Sequence, residues 1–207
     1  MTLYSQYTEG ASALTSFLKS QELIFNVSDL IIYKSKPYAF LKKISPWYWF
    51  TRPMTKFMIN FFHNKSLIGV EIGVEYGLNA KTMLAMLSLK KLYLIDPYRD
   101  DDASYQEARR YLGSYKDKIT FIRKTSEAAL DDIPGILDFV YIDGSHEYEA
   151  VKTDIELFYP KVKPGGVIGG HDFWAKEIGV CKAVLEFAEK NNIQLHGKQT
   201  DWWIVKQ

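Results

Sequence analysis

The chain has 207 residues, with 26 basic and 25 acidic side chains and a formal net charge of +1, so no charge imbalance calls for nucleic acid or an anionic membrane surface. That length suits one domain, or one domain with an appended cap, and is ample to bury a core. A single cysteine, Cys181, excludes an intramolecular disulfide and fits a reducing, cytoplasmic setting.

The N-terminus, MTLYSQYTEGASALTSFLK, has neither the charged start nor the continuous apolar core of a signal peptide. No run approaches the roughly 18 apolar residues of a membrane-spanning helix. Residues 1–65 are predicted as a helical cap rich in aromatic side chains, with Leu14, Phe17 and Leu18 at helical spacing. Pro53 interrupts the later stretch SPWYWFTRPMTKFMINFF or sits in a first helical turn.

From about residue 66 a regular alternation begins. SLIGVEIG, KLYLID, ITFI, LDFVYID and GGVIGG are short apolar strands. Amphipathic helices separate them: Ala80, Met83, Leu84 and Leu87 share one face, as do Tyr105, Ala108, Leu112 and Tyr115, and Tyr148, Val151, Ile155 and Phe158. TSEAALDDI is a short helix, VCKAVLEFAEKN a longer one, and IQLHGK and TDWWIVK are two closing strands. Continuously apolar strands between such helices mean a parallel sheet covered on both faces. A final pair joined by a tight polar turn must be antiparallel. The predicted fold is a doubly wound, Rossmann-like α/β domain over residues 66–207. Its seven-stranded sheet is mainly parallel, with an antiparallel C-terminal strand.

In such sheets ligands bind beyond the carboxyl ends of the strands. After the first strand, EIGVEYGLNA places Glu71, Gly73, Gly77 and Asn79 at a strand–helix turn. Its G-x-x-x-G spacing differs from the dinucleotide fingerprint and suits a small anionic group better than a pyrophosphate. After the second strand, Asp96 lies where an acidic side chain accepts from ribose hydroxyls, or else caps the turn before Pro97. After the third, Ser126 or Thr125 caps the next helix and is within reach of an adenine edge. After the fourth come Asp143, Gly144, Ser145 and His146; after the fifth, His171 and Asp172. If those two strands are neighbours, Asp143, His171 and Asp172 could offer oxygen and nitrogen ligands to a divalent cation. His146 is then a base kept neutral by a helix N-terminus, or simply a solvent-facing residue in a first turn.

Together, VEIGVEYGLNA, LYLIDPY, LDFVYIDGSHEYEAVKTDI and VKPGGVIGGHDFW resemble class I S-adenosylmethionine-dependent methyltransferases. Within these the chain is similar to the small-molecule O-methyltransferases of the catechol and macrolide-sugar type. The resemblance runs from about residue 68 to the end. It implies a turn formed by Gly73 and Gly77 beneath the methionine moiety, with Asn79 in place of a small hydroxyl residue. It also implies Asp96 on the ribose, Ser126 near the adenine, and Asp143 as the first metal ligand. His171 and Asp172 fall where relatives carry a pair of acidic or amide residues, and His146 falls where catechol-type enzymes carry a lysine base.

The implied reaction is O-methylation of a small hydroxylated metabolite or sugar, with S-adenosylmethionine as donor and Mg²⁺, Mn²⁺ or another divalent cation as cofactor. Neither nucleic acid nor a membrane span is expected, and the aromatic stretch PWYWF (46–50) leaves a homodimer open. Two alternatives stand beside this reading: a metal-independent methyltransferase using a histidine base on an oxygen or nitrogen acceptor, and a non-catalytic cofactor-binding or scaffold protein.

Overall fold

The computed structural model describes residues 51–99 and 101–207. PWYWF and most of the expected cap lie outside them. Of the cap, Pro53–Phe62 forms helix α1, with Pro53 in the first turn, where its missing N–H costs no hydrogen bond. Met54, Met58 and Phe62 recur at i, i+4 and i+8 and are buried, so α1 packs onto the sheet and shares its core.

The remaining elements follow the predicted alternation. They are β1 (Leu67–Ile72), α2 (Leu78–Met86), β2 (Leu89–Ile95), α3 (Asp102–Tyr111), β3 (Ile119–Ile122), α4 (Ser126–Ala129), β4 (Leu137–Ile142), α5 (Tyr148–Phe158), β5 (Val162–Gly170), α6 (Ile178–Lys190), β6 (Leu195–Lys198) and β7 (Asp201–Val205). The sheet order is β3-β2-β1-β4-β5-β7-β6. β1 through β5 pair in parallel, and β7 runs antiparallel to both β5 and β6. The antiparallel strand is therefore not the edge: β7 inserts between β5 and β6.

Two cores cover the two faces. One packs Val151, Ile155 and Phe158 of α5 with Val180 and Val184 of α6. The other packs α1 with Met83 and Leu84 of α2 and with Ala108 and Leu112. Every residue of β4 is buried, as expected of a central strand with helices on both sides, and its one charged residue, Asp138, accepts from Ile68 N–H at 2.6 Å and pairs with Lys163. The helical face expected to run from Tyr105 through Tyr115 is cut short: α3 stops at Tyr111, and the chain continues as a 3₁₀ turn at Gly113–Tyr115. A poor helix former at position 113 accounts for the break.

Register decides where the strand ends meet. Ile72 pairs with Ile95 on one side and with Ile142 on the other, and Ile142 pairs with Gly170. The next residue of each strand is thus level with the others: Gly73, Asp96, Asp143 and His171. The ladder continues through them, because Gly73 N–H donates to Ile95 O (2.9 Å), Asp143 N–H to Ile72 O (2.7 Å) and His171 N–H to Ile142 O (3.0 Å). Sheet order reverses between β1 and β4, so a crevice opens at this level.

Candidate active site

A cleft of about 920 Å³ occupies that crevice, lined by residues that follow β1, β2, β3, β4 and β5. Its floor is the turn after β1. Gly73 has φ +83°, and a Cβ there would meet the carbonyl oxygen of Asp143 at 2.1 Å. Only glycine lets β1 and β4 approach this closely while the chain turns. Gly77 N–H donates to Val74 O (2.7 Å), and Gly77 precedes the first turn of α2.

Glu71 points inward beneath this turn and is 1% exposed. Asn79 Nδ2 donates to Glu71 Oε1 at 2.9 Å, while Glu71 Oε2 and Asn79 Oδ1 are buried without a partner among the described residues. Burial pushes the Glu71 carboxyl up to about 8. With that carboxyl largely neutral at pH 7, Glu71 can offer an O–H as well as an acceptor, and Asn79 Oδ1 an acceptor, to a ligand in the cleft.

Asp96 organises the turn from the side. Its Oδ2 accepts from the backbone N–H of Val74 (2.9 Å) and Glu75 (3.0 Å), and its Oδ1 from Tyr98 N–H (2.9 Å). A carboxylate has about four lone-pair sites, so one remains for a ligand. Farther along, Thr125 rather than Ser126 caps α4, accepting from Ala128 N–H at 3.4 Å. The Ser126 hydroxyl donates to Asp154 Oδ1 instead. Burial raises the Asp154 carboxyl to about 6, and both residues line the cleft.

At the mouth the residues after β4 and β5 converge. Asp143, His146 and Asp172 each bring one ligand atom within 4.8 Å of the others. His171 is tied to the same carboxylates: its Nδ1 lies 3.0 Å from Asp172 Oδ2 and 3.6 Å from Asp143 Oδ1. Its Nε2 meets the Thr200 hydroxyl at 2.7 Å, which turns Nδ1 toward the two aspartates. Asp172 itself sits at φ +59°, a left-handed turn that brings its side chain back over the strand end. His146 Nε2 lies 2.9 Å from Asp172 Oδ2 and its Nδ1 3.3 Å from Glu177 Oε2. Burial raises the Asp143 carboxyl, against the opposing pull of Arg52 and His171.

A donor set of two carboxylates and an oriented imidazole nitrogen fits a divalent cation that accepts both oxygen and nitrogen. The structure adds a cationic neighbour that sequence patterns did not reveal. Arg52 Nη2 reaches Asp143 Oδ2 at 3.4 Å. Burial works against its charge, and Tyr141, Asp143, Asp201 and Asp172 outweigh that, so the guanidinium is held charged. Behind it, Asp201 is fully buried, accepting from Met54 N–H (2.9 Å) at the start of α1 and from the Tyr141 hydroxyl (3.1 Å). Arg52, Glu177, Thr200 and Asp201 all escaped the sequence reading. The available hints, an arginine before a helix-starting proline and an acid five residues past Asp172, are too common to single out.

A family model described as a methyltransferase domain matches residues 70–173. An uncharacterised protein of Acanthamoeba polyphaga mimivirus, R132, is 28% identical over 141 residues, which cover 58% of this chain. The chain spans 60% of that curated relative's own length. Among solved structures, the O-methyltransferase from Bacillus cereus in complex with S-adenosylhomocysteine (SAH) superposes with a TM-score of 0.61 at 16% identity, over 75% of this chain and 82% of that one. The O-methyltransferase TomG from Streptomyces achromogenes, in complex with S-adenosylmethionine, gives 0.60 at 14% identity, over 75% and 80%. At such identities the likeness is one of fold.

Proposed function

Because the chain belongs to the methyltransferase domain family, we propose that it transfers a methyl group from S-adenosylmethionine to a hydroxyl of a small metabolite or sugar. The observation that carries this is the single cleft running from the glycine turn and Asp96 to the Asp143, His146, His171 and Asp172 cluster. One end suits the methyl donor and the other suits deprotonation of an acceptor.

At the donor end, Gly73, Gly77 and Asn79 form the seat of the methionine moiety, and Glu71 supplies a buried hydrogen-bonding carboxyl beneath it. Asp96 takes a ribose hydroxyl with its remaining lone pair. Ser126 and Asp154 border the adenine. At the acceptor end the chemistry is an in-line displacement on a sulfonium, whose leaving group is already good. The protein therefore has to align the two molecules and remove a proton. His146 Nε2 takes that proton, the acceptor oxygen forms a bond to the methyl carbon, and the sulfonium becomes a thioether. Such base catalysis contributes about 10²–10⁴ in rate.

Asp143, His171 and Asp172 would hold a divalent cation. Bound there, it would lower the pKa of a coordinated hydroxyl. A second reading has its own support: Arg52 already brings a positive charge to 3.4 Å from Asp143, so transfer without a metal, with His146 as base, fits the same residues.

Titration calorimetry with SAH tests the donor end. Micromolar binding is expected, and no binding at high micromolar ligand would leave only a non-catalytic scaffold. Methyl transfer to a panel of hydroxylated metabolites tests the acceptor end.

A further inference from the structure

Asp154 brings an acidic side chain to the cleft from the inner side of α5. Val151 and Ile155 of that helix are buried in the core, which fixes its rotation. Ala150, Thr153 and Asp154, at i, i+3 and i+4, then line the cleft. Thr125, Ser126 and Glu127, which follow β3, line the same end. Only 5% of Asp154 is exposed. A carboxylate buried to that degree is costly unless donors reach it.

Among the described residues one donor does. The Ser126 hydroxyl donates to Asp154 Oδ1, and no hydrogen bond reaches Oδ2. Ser126 has a single proton and directs it at Asp154, so toward the cleft its oxygen can only accept. The charged residues that α4 and α5 add to the lining are Glu127, Glu149 and Asp154, all acids. This end of the cleft therefore presents acceptors and negative charge, and is matched by a ligand edge that carries N–H donors.

We propose that Asp154 and Ser126 select the purine of the methyl donor by its 6-amino group. This rests on the reading of the cleft as the S-adenosylmethionine site, with adenine between α4 and α5. Adenine offers an amino group with two donors on that edge. A purine with a carbonyl at carbon 6 turns an oxygen toward the same acceptors. No hydrogen bond forms between them, and the carboxylate repels the carbonyl dipole. Selectivity then comes from the unmet acceptors of the wrong complex as much as from the bonds of the right one. Burial raises the Asp154 carboxyl to about 6, so at pH 8 it is ionised and accepts only.

Titration calorimetry at pH 8 with SAH and with S-inosylhomocysteine, its 6-carbonyl counterpart, tests this. Wild-type protein should bind SAH about 100-fold more tightly than the inosine compound. Asp154→Ala should weaken SAH far more than the inosine compound, so that the preference falls to about threefold or less. Asp154→Asn presents an amide N–H beside its carbonyl and should bind the inosine compound more tightly than wild type does, a gain that misfolding does not produce. Ser126→Ala should lose part of the preference. A wild-type preference below about threefold would overturn the proposal, as would a wild-type ratio in Asp154→Ala, equal weakening of both ligands included. Failure of the wild-type protein to bind SAH would instead defeat the methyltransferase reading beneath it.

Discussion

Arg52 Nη2 lies 3.4 Å from Asp143 Oδ2, although 91 residues separate them in the chain. The contact joins the start of α1 to the end of β4 and brings a permanent positive charge to a cluster of acids. A hydrogen bond to a charged group contributes about 1.5–3 kcal/mol, which as a rate is roughly tenfold or more. Arg52→Ala should therefore lower kcat/KM about tenfold. Lysine at that position keeps the charge but not the planar fork, and should recover only part of the loss. Steady-state kinetics of the two variants check this.

Asp143→Asn and Asp172→Asn should abolish methyl transfer without unfolding the protein. Burial already disfavours the Asp143 carboxylate, so the neutral amide is expected to hold the melting temperature or raise it. Treatment with a chelator separates the two readings of the mouth. Loss of activity, restored by Mg²⁺ or Mn²⁺, supports the cation; unchanged activity supports metal-free transfer, with Arg52 beside Asp143 and His146 as base.

Stability should fall as pH rises from about 4 to 7. Asp201 is fully buried, and burial raises its carboxyl from 3.8 to about 7. The native state then holds a proton that the unfolded chain has released, so the slope of unfolding free energy with pH is negative across that window. The benefit is complete below the unfolded value and gone above the folded one. Asp201→Asn keeps an acceptor for Met54 N–H and cannot ionise, so its melting temperature should vary less between pH 4 and 7. Thermal unfolding followed across that range measures the difference.

Gly73→Ala should be severe. The residue sits at φ +83°, and a Cβ would come within 2.1 Å of Asp143 O. The left-handed conformation alone costs about 1–2 kcal/mol, and the clash adds to it by pushing β1 away from β4. Denaturant unfolding should show a loss above 2 kcal/mol, and SAH binding should weaken or vanish. Wild-type stability in this variant would mean that the turn relaxes freely.

Much of the fold was legible because its physical signals are local. LDFVYI reads as a buried strand from six residues, and all six are buried. Ala80, Met83, Leu84 and Leu87 read as one helical face, and all four lie in the core. Helix ends were less legible. The helix expected to begin at His146 begins at Tyr148, because Ser145 and Glu147 form a turn in which Glu147 N–H donates to Ser145 Oγ at 3.3 Å. The hydroxyl expected at the adenine or the cap divides its roles between neighbours: Thr125 caps, and Ser126 serves Asp154.

The sequence by itself determined the alternation of strands and helices, and so the side of the sheet on which chemistry collects. Apolar runs end at Gly73, Asp96, Asp143 and His171 because a strand buried on both faces can turn polar only where it leaves the core. Tertiary structure decided the rest. Register placed those four residues on one level, β7 entered between β5 and β6, and α1 carried Arg52 to Asp143. The turn into α6 set Glu177 beside His146. Each of these contacts joins residues brought together by strand order and helix packing, and neither leaves a periodic mark in a single chain.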